Sequence, residues 1–253
     1  MSWAAKRRAT ILGGIGTVVL VVLVLIFYPA LHSAPSCSDG RQDGSEAGVD
    51  CGGSCPYLCQ SQVESPVVRF TQAFSPGPGR TDVIAYVDNP NQDASAKDVP
   101  YTLTLYGADN VLVAKTSGTL ELPPASTVPV FVANLVTGGQ PTAQAFLTID
   151  PTAISWQAGA DTRTLPVVGS PAIGGSLSAP HVVATLSNPS ALPIQNVAVV
   201  AAVFDASGNV IDASQTLLPS IPPQGTSVAT FTWNEPFSSA PTRVDVIPLV
   251  PLP

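Results

Sequence analysis

DVIAYVDNP at residues 82–90 and HVVATLSNP at residues 181–189 are one stretch written twice, 99 residues apart. LPPAST at 122–127 and IPPQGT at 221–226 keep that spacing, and so do Asn110-Val111 and Asn209-Val210. Three anchors at one offset point to two copies of a single fold, each about 90 residues, which is a domain and not a solenoid repeat. After Thr127 the register is expected to slip by one residue, with Phe131 falling on Phe231 and Asn134 on Asn234.

Within each copy the period is that of strands. Val83, Ala85 and Val87 alternate with Asp82, Tyr86 and Asp88, although Ile84 breaks the polar face; Leu103 and Leu105 alternate with Thr102 and Thr104. Val197, Val199, Ala201 and Val203 keep one face of the second copy apolar, the pattern of a half-buried sheet. YTLTLYGADNVLV (101–113) and VVAAVFDASGNVI (199–211) read as hairpins, and Asn89-Pro90, Pro123-Pro124, Asn188-Pro189 and Pro222-Pro223 supply the turns. No stretch after Gln60 carries ten residues of helical periodicity. The expected fold is therefore all-β, two tandem immunoglobulin-like antiparallel sandwiches. Trp156, in the connecting stretch 151–172, is expected to plug the junction between them, the alternative being the first core residue of the second copy, and Trp233 is expected to point into a core beside Phe231. Pro248, Pro251 and Pro253 block further edge pairing after the last strand.

The order strand, Asn-Pro, apolar strand ending in an aromatic (Tyr106, Phe204), tight turn, strand, and Pro-Pro before a Phe-bearing strand resembles the FxLYD-type and related immunoglobulin-like modules of bacterial envelope proteins. The resemblance covers both copies, about two thirds of the chain; Gly107 stands where the second copy has Asp205, and neither copy contains the cysteines of an antibody-type bridge. It implies spacing, adhesion or assembly at the cell surface, and no reaction.

Toward the N-terminus, ILGGIGTVVLVVLVLIFY (11–28) has no ionisable side chain except the Tyr28 phenol. At 1.5 Å per residue a helix of this length spans roughly the 30 Å hydrocarbon core of a bilayer. Lys6, Arg7 and Arg8 precede it without an acid, which keeps the N-terminus cytoplasmic and sends the rest of the chain across. A cleaved signal peptide is the alternative, but Ala34 is preceded by His32 and followed by Pro35, and the apolar run is long for an h-region. The organisation expected is a cytoplasmic N-terminus at 1–10, a transmembrane signal-anchor at 11–30, a linker and cysteine-rich acidic segment at 31–64, and sandwiches at 65–152 and 153–253. Beyond the anchor stand 7 basic and 17 acidic residues, so the exported part is acidic and unsuited to nucleic acid.

All four cysteines, Cys37, Cys51, Cys55 and Cys59, fall in CSDGRQDGSEAGVDCGGSCPYLC (37–59). In an oxidising compartment they form two disulfides, with three pairings open, and a tetrahedral zinc site is the alternative. Asp39, Asp43, Glu46 and Asp50 alternate with glycines, which offers oxygens to calcium without matching an EF-hand; the other reading is a solvated, turn-rich loop. The run resembles a short cysteine-rich motif of secreted bacterial surface proteins, C-x-D-G-x-x-[ND]-G-x-E-x-G-x-D-C-G-G-x-C-x-x-x-C, which implies an envelope location.

Catalysis is not expected. The two histidines, His32 and His181, are far apart in sequence, no nucleophile motif surrounds any serine, and Asp205 and Asp212 flank a turn where aspartate caps amides. No cofactor is expected beyond possible calcium. Two functions remain open: a membrane-anchored structural or protein-interaction protein that meets an envelope protein or polymer, or a calcium-dependent ligand-binding or adhesion module. A third is an accessory subunit of a secretion or pilus assembly.

Overall fold

The computed structural model describes residues 3–31, 36–176 and 178–253; His32, Ala34 and Pro35 lie outside the described residues. The chain forms two compact bodies, Met1–Cys55 and Pro56–Pro253. The first contains α1 (Trp3–Leu31), whose Arg7–Tyr28 stretch of 22 residues is apolar and long enough to cross a membrane or serve as a signal-anchor. Leu12, Leu20 and Leu25 are each more than 60% exposed, an arrangement that water would oppose and a lipid core would not.

Pro56–Pro253 is all-β. Its first half contains β1 (Val67–Gly77), β2 (Arg80–Asn89), β3 (Ala94–Tyr106), β4 (Leu112–Leu122), β5 (Ser126–Val136), β6 (Gln144–Ile149) and β7 (Trp156–Ala158). Its second half contains β8 (Val167–Val168), β9 (Ala172–Ser176), β10 (Ala179–Ser187), β11 (Ile194–Phe204), β12 (Val210–Ile221), β13 (Thr226–Thr232) and β14 (Arg243–Leu249). The first half builds sheets β1-β2-β5 and β4-β3-β6, with β7 added to β3. The second repeats the order as β9/β8-β10-β13 and β12-β11-β14. All pairings between these strands are antiparallel. Each half closes its two sheets on one apolar core: Val83, Val87, Leu103, Leu105 and Leu122 in the first, Val182, Leu186, Val199, Val203 and Phe231 in the second.

The repeated Asn-Pro and Pro-Pro motifs are the two ends of one hydrogen-bonded staple. Asn89, only 2% exposed, donates from Nδ2 to the carbonyls of Ala94 (2.8 Å) and Pro123 (2.7 Å), while its Oδ1 accepts from Asn91 N (3.0 Å). Asn188, also 2% exposed, donates to Leu192 O (2.7 Å) and Pro222 O (3.2 Å) and accepts from Ser190 N (2.9 Å). A carboxamide has both donors and an acceptor, so one side chain satisfies main-chain groups on both sides of a buried turn. The same loops force Ala125 and Gln224 to positive φ (46° and 49°), 99 residues apart.

Two expectations need correction. Phe131 does not correspond to Phe231. Val83 pairs with Val132 and Val182 with Phe231, whereas Ile84 pairs with Phe131 and Val183 with Thr230. The 99-residue offset thus continues through Val132 in β5 and Phe231 in β13, up to the irregularity beyond Val132, where Asn134 takes φ 58°. Trp156 is no junction plug: on β7, which pairs with β3, it is 1% exposed inside the first core, beyond the boundary expected at residue 152. Trp233 is buried at 8% exposure in the second core, its Nε1 donating to Ala213 O at 3.3 Å.

The sandwiches do not stand apart. Ile84, Tyr86, Val200, Ala202, Phe204, Val210 and Ala213 form a third buried cluster, flanked by Phe70, Phe74, Phe131 and Ile247. The outer face of β1-β2-β5 therefore lies on the outer face of β12-β11-β14. Phe70 and Tyr86 stack with centroids 4.8 Å apart, and the Arg243 guanidinium lies 3.9 Å over the Phe204 ring. Ile84, the residue that interrupts the alternation of β2, is fully buried here.

Asn89→Ala leaves buried carbonyls without donors and is expected to lower stability by about 3 kcal/mol in urea denaturation, with Asn89→Asp costing at least as much because it too loses the donors. Ser207→Ala, in an exposed turn, is expected to change stability by less than about 0.5 kcal/mol.

Candidate functional site

Three places bring polar chemistry together: the cysteine-rich loop and two cavities between the sandwiches. In the loop, Cys37 and Cys55 are bridged, and Cys51 and Cys59 are also disulfide-bonded. No thiolate is left for zinc among them, and the zinc alternative falls. Gly53 is required here: at φ 61° its Cβ would lie 1.7 Å from the Ser45 carbonyl oxygen.

The loop acids are largely engaged with their own backbone. Asp50 Oδ1 accepts from Asp39 N (2.9 Å) and Oδ2 from Gly40 N (2.9 Å). Glu46 Oε2 accepts from Asp43 N (3.2 Å) and Asp50 N (3.3 Å), and Asp39 Oδ1 from Arg41 N (2.9 Å). Asp43 Oδ1 is buried without a hydrogen-bond partner. The only group of three potential ligand residues with donor atoms within 4.8 Å of one another, among the described residues, is Cys37, Glu46 and Cys55, and its sulfurs are oxidised. Asp39, Asp43, Glu46 and Asp50 form no such group. Main-chain amides hold the carboxylates of Asp39, Glu46 and Asp50, and Asp43 Oδ1 stands apart from them.

The chain after Cys55 is fastened to the first sandwich. Leu58 N donates to Trp156 O (2.9 Å), Gln60 Nε2 to Ile154 O (3.0 Å), and Glu64 and Asn91 exchange two bonds of 2.8 and 2.9 Å. The short strand that carries Trp156 is thus an anchor point for residues 57–60.

On one rim of the sandwich contact a cavity of about 540 Å³ is lined by Asp82 and Asn134 from the first sandwich and by Asp212, Trp233 and Glu235 from the second. Asp82 sits at the start of β2 and accepts from Asn134 N at 2.7 Å; burial nevertheless holds its carboxyl above the usual range, against that amide and Arg80. Asp212, on β12, is pushed up to about 6, first by burial and further by the charge of Asp82 across the cleft. As the sequence suggested, Asp212 flanks the turn, in the strand that begins at Val210. Nothing in its local sequence announces the partner, since Asp82 comes from the other copy. Asp205 does cap the turn, accepting from Ser207 N and Asn209 N at 2.9 Å each. His181, half-buried on β10, lies over Gly174, where a Cβ would come within 2.7 Å of Nε2.

No protein-family model matches the chain, and no curated protein matches it in sequence. Among solved structures, a red sea bream transglutaminase is similar at 14% identity and a TM-score of 0.26, over 74% of this chain and 29% of that one. An exo-chitosanase of Amycolatopsis orientalis is similar at 14% identity and a TM-score of 0.20, over 74% of this chain and 26% of that one. The chain spans under a third of either protein's length, and likenesses of this size carry no functional assignment.

Because main-chain amides order Asp39, Glu46 and Asp50 without an ion, the melting temperature is expected to be the same in millimolar calcium and in chelator; a calcium-dependent rise would show an ion bound to the folded state. The carboxyl pair gives a signed pH dependence. Asp212 ionises near 3.8 when unfolded but near 6 when folded, so between those values the folded state holds a proton the unfolded state has released. Stability therefore falls as pH rises through that window and is level above it with respect to this group. Denaturation midpoints measured from pH 4 to 7 are expected to show this fall, and Asp212→Asn to flatten it.

Proposed function

We propose that the protein is a single-pass membrane protein, N-terminus cytoplasmic, that holds an extracytoplasmic pair of immunoglobulin-like sandwiches as a structural and protein-binding element of the cell envelope. One observation carries this: an apolar helix with exposed side chains is followed directly in sequence by four cysteines, all of them oxidised. Disulfides persist in oxidising compartments and are rare in the cytosol. Lys6, Arg7 and Arg8, just before the apolar run at 11–28, favour the orientation. Binding is favoured over catalysis because Ser75, Ser214 and Ser238, the serines lining the cavity of Asp82 and Asp212, have no histidine beside them among its lining residues, and His181 lies over Gly174.

Treatment of intact cells with protease is expected to remove the sandwiches while sparing the N-terminus. A maleimide-polyethylene glycol reagent is expected to add no mass to the denatured chain until it is reduced, and then to add four units of label to Cys37, Cys51, Cys55 and Cys59. Free thiols on a protease-resistant C-terminal half would overturn the proposal.

A further inference from the structure

On the other rim of the sandwich contact lies a cavity of about 660 Å³, lined by apolar groups of both halves, among them Tyr101, Val128, Val130, Leu165 and Leu249. Its size is that of a ligand pocket. The stretch after β14 runs along it. Arg163, paired with Asp161 at 2.8 Å, donates to the carbonyl of Val250; Glu121, at the end of β4, accepts from Leu252 N at 2.6 Å; Lys97 donates to the Pro253 carbonyl oxygen. These bonds come from three separate elements, and each reads main chain, not side chain. The stretch itself has no ladder partner, since β14 ends at Leu249, and Pro251 and Pro253 are exposed. Its prolines keep φ fixed, so little entropy is lost when it lies extended.

We propose that this groove is a receptor for an extended, proline-containing apolar segment of a partner protein, and that residues 250–253 occupy it within the chain until the partner displaces them. The chemistry on the page is that of such recognition: an acid for an amide N–H, cations for carbonyls, and apolar space beside the backbone for alternate side chains. Val250 and Pro251 form part of the cavity wall, and the open volume beside them leaves room for a longer segment. A segment held by three side-chain bonds and no sheet pairing belongs to the least stable part of a fold, where exchange is possible. The inference deepens the protein-binding role proposed above, yet it is tested without reference to the membrane.

The probe is a fluorescein-labelled peptide of residues 246–253, VIPLVPLP, titrated with detergent-solubilised full-length chain and followed by anisotropy. The in-chain segment competes at an effective concentration on the order of millimolar, so the native chain is expected to bind weakly. Deletion of 250–253 is expected to tighten binding at least ~10-fold, and Glu121→Ala in that background to reverse most of the gain. Leu252→Pro in the full-length chain removes only the amide that Glu121 accepts and leaves β14 whole; it is expected to give an intermediate gain. No binding by the deletion variant with its melting transition intact would overturn the proposal, as would dimerisation of the native chain by exchange of the segment without peptide capture, which assigns the groove to a second copy. Either outcome leaves the membrane topology, read by protease and thiol labelling, untouched.

Discussion

An apolar patch on the outside of one sandwich, buried only by the outside of the next, decides how Pro56–Pro253 is built. Ile84 and Tyr86 on β2 meet Val200, Ala202 and Phe204 on β11, and each of these is less than 9% exposed. Burying large aliphatic and aromatic side chains stabilises by roughly 1.5–3 kcal/mol each, which is large against the marginal stability of a domain. The contact makes a stack of four sheets in place of two beads on a string. Both cavities are by-products of that stack, since two twisted sheets that touch along their centres must part at the rims. The tyrosine carries a cost: its hydroxyl is buried without a hydrogen-bond partner, and burial raises its pKa.

The fold within each half depends on a different device, the buried asparagine. Its strength as a sequence signal comes from its chemistry. Only a carboxamide donates twice and accepts once at the end of a strand, so Asn89 and Asn188 are repeated together with the Pro-Pro loops whose carbonyls they hold. The 99-residue offset was therefore visible in residues that cannot change independently. Strand periodicity was visible for the same kind of reason, since Val83, Ala85 and Val87 all face one core.

What stayed hidden was everything that involves both copies at once. Ile84 looked like a fault in the alternation of β2, and VVAAVF at 199–204 like an ordinary half-buried strand; both are strands with two buried faces. A continuous apolar run bounded by turns is the available signal for such a strand. The pairing of Phe131 with Phe231 failed because matching letters outweighed side-chain direction: one faces the second sandwich and the other its own core. Trp156 misled for the opposite reason. A three-residue strand has too little pattern to reveal that it returns to β3. In the cysteine-rich loop, composition showed acids but not their partners, and the partners are main-chain amides that no side-chain spacing reports.

The outward faces of the stack differ from the faces that join it. The face of the second sandwich equivalent to Ile84, Tyr86 and Phe131 carries Val183, Thr185 and Thr230, of which the two threonines are exposed. The face of the first sandwich equivalent to Val200, Ala202 and Phe204 carries Thr102, Thr104 and Tyr106. A head-to-tail contact between like units propagates into a fibre unless its free ends differ from its joined ones. Threonine for isoleucine or valine at those ends keeps the β-branched shape that suits a strand while withdrawing the apolar surface that drives association. One aromatic pair remains on the first sandwich, Tyr106 and Phe146 with centroids 6.1 Å apart. Leu112, opposite Tyr106 on β4 and half exposed, adds to this patch, and Thr102 and Thr104 bound it along β3. The rims, where the carboxyl pair and the proline-bearing groove lie, are then where the protein contact proposed above would fall.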